Sequence, residues 1–111
     1  MANARQSRGR RTQVVVAAWL AEHGWTKAKS VWGSAPGSDI FNVPGHAIEV
    51  KAVAKFSPQA WLRQARTNAT RGQTPCVILR MNGQGEKSVD DYLVIRRLAD
   101  DVLAKRGSNE I

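Results

Sequence analysis

The alternation of apolar and polar residues along the chain predicts three helices. An apolar run begins after Thr12, which is suited to cap a helix, and continues to Gly24, which is suited to end one. A second helix is predicted from Ser57-Pro58 to Gly72, since serine caps helices and proline is tolerated in their first turn. Residues 98–105 show the pattern of a closing helix.

Five short β-like segments separate these helices. They are residues 25–32, 39–43, 46–53, 75–81 and 92–95. Pro44-Gly45 is a turn signal, so the second and third segments are expected to pair as a hairpin. The continuous apolar run of the fourth segment is typical of a strand buried on both faces, at the centre of a sheet. The order helix, three strands, helix, two strands, helix predicts an α/β fold with a central mixed sheet flanked by helices.

The length and charge of the chain indicate one domain with a polyanionic partner. A chain of 111 residues is expected to form a single compact domain, which we assign to residues 12–111. Residues 1–11 are polar and predict a mobile basic arm that contacts phosphates; its cations are Arg5, Arg8, Arg10 and Arg11. The net charge of +8 favours nucleic acid, because lysine and arginine displace the counterions condensed on it.

The cysteine and histidine content excludes several kinds of site. The single cysteine, Cys76, lies in an apolar run and permits neither an intrachain disulfide nor a thiolate metal cluster. His23 and His46 are too few for a zinc site. No apolar stretch approaches the ~20 residues that span a bilayer, and no secretory signal is evident. We therefore expect a soluble, cytoplasmic protein with no membrane or disulfide partner.

Three charged residues on the predicted hairpin suggest chemistry. Alternate side chains of a strand share a face, so Glu49 and Lys51 lie on one face. The apolar residues Ile48, Val50 and Ala52 lie on the other face. Asp39, at the start of the preceding strand, is expected to lie close to Glu49. Two carboxylates suit Mg²⁺, and Lys51 is suited to hold or deprotonate a water, or to donate to a phosphate. The alternative is a surface ion-pair network, which contributes little stability.

The segment Gly37-Ser38-Asp39-Ile40, followed by Ile48-Glu49-Val50-Lys51, resembles the signature of the PD-(D/E)XK nucleases. Nine residues separate Asp39 from Glu49, and Ser38 stands where the family usually has proline. The resemblance covers residues 12–82 and implies a restriction-endonuclease-like core. It implies that Asp39, Glu49 and the backbone carbonyl of Val50 bind Mg²⁺, which Mn²⁺ can replace, and that Lys51 is catalytic.

Two further positions of the family pattern fall on the predicted helices. The first helix often carries an acidic residue, for which Gln13 and Glu22 are the alternatives. They lie nine residues apart and hence on opposite helix faces, so both cannot serve. The spacing between Gln13 and Gly24-Trp25 is that of archaeal-type Holliday junction resolvases, which have glutamate at the position of Gln13. Glutamine brings no negative charge to a metal, which is an argument against a second metal ion. Gln64 on the second helix resembles the polar residue that assists catalysis, although a surface glutamine is equally compatible with its position.

The resemblance implies an Mg²⁺-dependent endodeoxyribonuclease that hydrolyses phosphodiester bonds, similar to Holliday junction resolvases of archaeal type and of phages. Such a resolvase cuts two symmetric strands, so the resemblance implies a homodimer with two sites. The expected location is the cytoplasm, which is that of the host if the chain is phage-encoded. Predicted DNA contacts are Ser34 and Ser38 in the glycine-rich loop and Arg63, Arg66 and Arg71 on the second helix. The alternatives are a restriction or repair nuclease that cuts duplex DNA, and an inactive DNA-binding module, which the neutral Gln13 would favour.

Overall fold

A computed structural model describes residues 4–31 and 37–107, with side chains described for 7–31 and 37–102. The predicted order of helices and strands is confirmed in this part of the chain. The elements are α1 (Ala4–Glu22), β1 (Lys29–Ser30), β2 (Ile40–Phe41), β3 (His46–Lys51), α2 (Pro58–Asn68), β4 (Thr74–Leu79), β5 (Leu93–Ile95) and α3 (Leu98–Gly107). A 3₁₀ helix at Glu86–Asp91 lies between β4 and β5.

The five strands form one mixed sheet in chain order, β1-β2-β3-β4-β5. The predicted hairpin is confirmed, because β2 and β3 are antiparallel with Ile40 paired to Ile48. β3 and β4 are parallel, and α2 forms the crossover between them. The central strand is β3 rather than β4, although β4 is also interior, as its apolar sequence predicts. The chain is thus an α/β structure with a five-stranded mixed sheet flanked by helices.

Helices α1 and α2 cover opposite faces of the sheet. On one face, α1 buries Val16 and Leu20 against Ile48 of β3. On the other face, Trp61 of α2 packs against Val77 and other residues of the sheet. Because alternate residues of β3 face opposite sides, Glu49 and Lys51 lie on the face that α2 covers. The fold therefore places a helix directly over the two charged residues of β3.

The prediction that residues 1–11 form a mobile arm is wrong for residues 4–11. Helix α1 begins at Ala4, and Arg8 donates hydrogen bonds to the carbonyl oxygens of Ala52 (3.4 Å) and Met81 (3.3 Å), just beyond β3 and β4. Thr12 is not a helix cap: it is fully buried, and its Oγ1 donates to the Arg8 carbonyl and accepts from Arg80 Nη1. The contacts of Arg8 with Ala52 and Met81, and of Thr12 with Arg80, join residues far apart in sequence, so the polar composition of the segment does not reveal them.

No helix in the described ranges has both the length and the apolar character needed to cross a lipid bilayer.

Candidate active site

The β2–β3 hairpin brings Asp39 and Glu49 together. Ile40 of β2 pairs with Ile48 of β3 in an antiparallel arrangement. The residue before Ile40 therefore lies opposite the residue after Ile48, which makes Asp39 and Glu49 neighbours across the two strands. The backbone N–H of Asp39 donates to the Ile48 carbonyl (2.9 Å), and the N–H of Val50 donates to Asp39 Oδ2 (2.8 Å). The Asp39 side chain thus continues the ladder where β2 begins, which holds its carboxylate at the edge of β3.

Glu49 is a buried carboxylic acid, with 1% of its surface exposed. Burial raises the pKa of Glu49 to about 7, and the negative charge of Asp39 adds to the rise. A hydrogen bond from Asn68 Nδ2 to Glu49 Oε1 (2.9 Å) and the charge of Lys51 act in the opposite direction. A surface ion-pair network therefore does not describe this cluster, because Glu49 is removed from solvent beside a second carboxyl group.

Lys51 lies on the same face of β3, nearer the surface than Glu49. It is half-buried, and its Nζ donates a hydrogen bond to Oε1 of the exposed Gln64 at 3.0 Å. The structure thus brings Lys51 and Gln64 together. The predicted catalytic part of Gln64 stays a prediction. The contact holds the ammonium group beside the carboxyl pair without a direct ion pair to it among the described residues.

Asn68 is a site residue that sequence reasoning missed. On α2, Asn68 follows Gln64 by four residues, which is about one helical turn. On β3, Lys51 follows Glu49 by two residues. Four residues of helix advance about 6 Å and two residues of strand about 6.6 Å. Each polar residue of α2 can therefore meet one charged residue of β3. This matched spacing, four on the helix against two on the strand, was the available signal in the sequence.

Replacing Asn68 with alanine is expected to raise the pKa of Glu49 above its value in the unmodified chain. The Asn68 amide donates to the ionised carboxylate, and removing this donor favours the protonated form. Carboxyl-carbon NMR titration of metal-free protein measures the change. Gln59→Ala, at an exposed position of the same helix, is the control and should leave the Glu49 titration unchanged. The same titration curve in both variants would contradict the assigned role of Asn68.

The donor groups at this point of the sheet fit a magnesium ion. They are the carboxylates of Asp39 and Glu49, and the carbonyl of Val50 joins them because the N–H and C=O of one strand residue point to the same side. Mg²⁺ prefers such oxygen ligands, commonly one or two carboxylates completed by water and phosphate oxygens. A divalent cation would also offset the repulsion between the two carboxylates. Across residues 4–31 and 37–107, no cluster of three or more Asp, Glu, His or Cys offers a fuller metal site.

The two alternatives on α1 are not joined to this cluster by any described contact. Gln13 is half-buried on α1, which packs against the sheet face opposite Glu49, and no hydrogen bond in the described structure links it to Asp39 or Glu49. Glu22 is exposed at the end of α1. The choice between Gln13 and Glu22 as an additional ligand stays a prediction.

The exposed side of α2 carries two of the predicted DNA contacts. Arg63 and Arg66 line a shallow groove of about 260 Å³, to which Arg97 also contributes. Arg71 is exposed in the turn that follows α2. Arg63 and Arg66 place positive charge on the exposed side of α2, as a surface for a phosphate backbone would require. Arg97 is paired with Asp100. Contact with DNA stays a prediction for Arg63, Arg66 and Arg71.

The remaining predicted DNA contacts differ in their surroundings. Arg5 lies in the helical segment of α1, while Arg10 and Arg11 are exposed further along the same helix. Ser38 is buried, so little of its hydroxyl is available at the surface. Ser34 lies outside the described residues.

Cys76 has no place in this chemistry. It is buried on β4 against the core that α1 covers. Burial raises the pKa of the Cys76 thiol to about 11, despite the opposing charge of Arg96. The thiol is therefore protonated near neutral pH and is a poor nucleophile and metal ligand.

Comparison of the chain with protein-family models, with curated proteins and with solved structures finds no match.

Proposed function

We propose that this chain is a Mg²⁺-dependent DNA endonuclease with a restriction-endonuclease-like core. The observation that carries the proposal is the burial of Glu49 beside Asp39 under α2, with Lys51 on the same strand face. Burying a carboxyl group next to another is costly for stability, and such costs concentrate at functional sites. The net charge of +8 supports a polyanionic substrate.

Each residue has a distinct role in the proposed hydrolysis. Asp39, Glu49 and the Val50 carbonyl hold the metal ion, which when bound lowers the pKa of a water and offsets charge on the phosphate. Lys51 donates from Nζ to a phosphate oxygen and orients the attacking water. Gln64 holds the Lys51 ammonium in place through its 3.0 Å hydrogen bond. Mn²⁺ would replace Mg²⁺, since it accepts the same oxygen ligands.

The substrate would approach over the half of this sheet face formed by β1 and β2. Helix α2 packs on β3 and β4, whereas Phe41 of β2 and Lys29 of β1 are exposed. Lys29 pairs with Phe41, so both lie on one face, and Phe41 is two residues from Asp39 and shares its side of β2. A lysine and an exposed aromatic ring thus flank the carboxyl pair, where they can contact a phosphate and a sugar or base.

The first test is DNA cleavage by the unmodified chain. We expect Mg²⁺ or Mn²⁺ to support cutting of a labelled four-way junction, and EDTA to prevent it. A linear duplex with the sequence of two junction arms tests structure specificity. Equal cutting of both DNAs would favour a duplex nuclease of the same fold over a Holliday junction resolvase. Binding without metal-dependent cutting of any DNA would replace the enzyme with a DNA-binding module.

A further inference from the structure

An aromatic side chain is exposed beside the candidate active site, in the segment that joins β3 to α2. The chain has two phenylalanines, and neither is buried: Phe41 is 45% exposed and Phe56 is 64% exposed. Phenylalanine is among the residue types most often found in protein cores, and leaving it in water forgoes hydrophobic stabilisation. A single exposed apolar residue is ordinary, so the role of Phe56 has to be argued from its position and surroundings.

Phe56 lies in line with the charged residues of the candidate site. On α2, Gln64 contacts Lys51. Trp61 lies three residues earlier, on the same side of the helix and about 4.5 Å along its axis, and its ring contacts Phe56. Glu49 lies on the far side of Lys51, since its hydrogen-bond partner comes later in α2. The order along this face is therefore the carboxyl pair, then Lys51, then Phe56.

The ring of Phe56 is held in place but is not covered. The centroids of the Phe56 and Trp61 rings lie 5.7 Å apart, and the two ring planes are perpendicular at 90°. This edge-to-face geometry is favourable for aromatic pairs, and Trp61 is itself buried on α2. Because the planes are perpendicular, Trp61 covers at most one face of Phe56. The ring therefore offers a flat surface in a fixed orientation, which lowers the entropy cost of binding a flat partner.

The charge of the surrounding chain favours nucleic acid as that partner. Residues 40–85 contain six basic residues and a single acidic one, Glu49, which is buried. A phosphate backbone is attracted to such a stretch of chain. Bases stack on exposed aromatic rings regardless of their sequence, since every base has a π-face. Phe56 thus has the surroundings of a base-stacking residue.

We propose that Phe56 stacks on an unpaired base of DNA next to the phosphate that Lys51 binds. Within a duplex, both faces of each base are covered by its neighbours, so the ring can reach only a base at a gap, a flap or a branch point. The preferred DNA therefore carries an unpaired nucleotide on the Phe56 side of the cut. This inference rests on the proposed function for the position of the cut, whereas the stacking itself requires neither metal nor cleavage.

The test is binding of the full chain, without metal, to a labelled duplex with a short single-stranded gap and to the same duplex fully paired. Fluorescence anisotropy is expected to show tighter binding of the gapped DNA. Phe56→Ala should weaken binding of the gapped DNA by about 10-fold, through loss of base stacking, and leave binding of the paired duplex unchanged. Leu98→Ala removes an 80% exposed side chain on α3 and is the control that should change neither affinity. The proposal is overturned if the unmodified chain binds both DNAs equally, or if Phe56→Ala does not weaken binding of the gapped DNA selectively.

Two further measurements separate stacking from a general apolar contact. Phe56→Trp keeps a ring and should retain the preference for gapped DNA, whereas Phe56→Leu should lose it; equal affinities of these two variants would contradict stacking. An iodouracil base in the gap should photocross-link to Phe56, because such bases couple to aromatic rings that stack on them. Cross-linking only to other residues would contradict the assigned position.

The outcomes for Phe56 and for the nuclease proposal are distinguishable. A chain that stacks on the gapped DNA through Phe56 but never cuts would lose only the nuclease proposal. A chain that cuts DNA without any preference for the gap would lose only the role of Phe56.

Discussion

Lys51→Ala is expected to lower the rate of Mg²⁺-dependent DNA cleavage by about 10³-fold while the fold is retained. Lys51 is the cation that the structure places beside the carboxyl pair, and its described hydrogen-bond partner is the exposed Gln64. Removing it leaves no buried group without a partner, so the free energy of unfolding should change little. Cleavage is measured in single turnover with the protein in excess over DNA, which separates the chemical step from product release.

The matched control for this variant is Lys55→Ala. Lys55 is an exposed lysine in the segment between β3 and α2, and its removal costs the same net charge. Both variants should therefore lose a similar, small amount of DNA affinity through weaker electrostatics. Equal cleavage rates for the two variants would remove Lys51 from the proposed mechanism.

Glu49→Gln is expected to abolish metal-dependent cleavage and, without metal, to stabilise the protein above neutral pH. The pKa of Glu49 in the folded chain is about 7, above the ordinary value of 4.5. The folded state thus favours the protonated acid, and the resulting stability is present in full below pH 4.5 and lost as the pH rises through 7. Glutamine has nearly the same shape, does not ionise and can still accept the hydrogen bond from Asn68. At pH 8 the variant should be more stable by about 3 kcal/mol.

Urea unfolding at pH 4 and pH 8, with and without Mg²⁺, measures this effect. At pH 4 the two proteins should have similar stability, since Glu49 is protonated in the unmodified chain. Mg²⁺ should stabilise the unmodified chain and leave Glu49→Gln nearly unaffected, because the variant lacks one carboxylate ligand. Asp91→Asn, at an exposed position outside the candidate site, is the control for loss of a surface charge. If the free energy of unfolding had the same pH dependence in Glu49→Gln and in the control variant, Glu49 would ionise normally.

The features that the sequence predicted correctly are those set by local physics. The Pro44-Gly45 turn predicted the β2–β3 hairpin, and the alternation of β3 placed Glu49 and Lys51 on one face. The register of a hairpin follows from its turn, so the proximity of Asp39 to Glu49 was also within reach. The start of α2 near Pro58 and the apolar β4 were predicted for the same reason, since neighbouring residues specify them.

The features that the sequence did not predict depend on contacts between residues that are distant along the chain. Residues 4–11 belong to helix α1. Arg8 holds this part of the helix against the sheet, because its side chain reaches carbonyl oxygens 44 and 73 residues away along the chain. The composition of residues 4–11 alone resembles that of a disordered arm.

For the candidate site, the sequence by itself determined which residues share a strand face, and the tertiary structure decided what covers them. Packing of α2 over β3 buries Glu49, brings Asn68 to its carboxylate and sets Gln64 on Lys51. The raised pKa of Glu49 follows from this burial and from the charge of Asp39. A strand pattern specifies the direction of a side chain, whereas its solvation depends on a helix that the pattern does not contain.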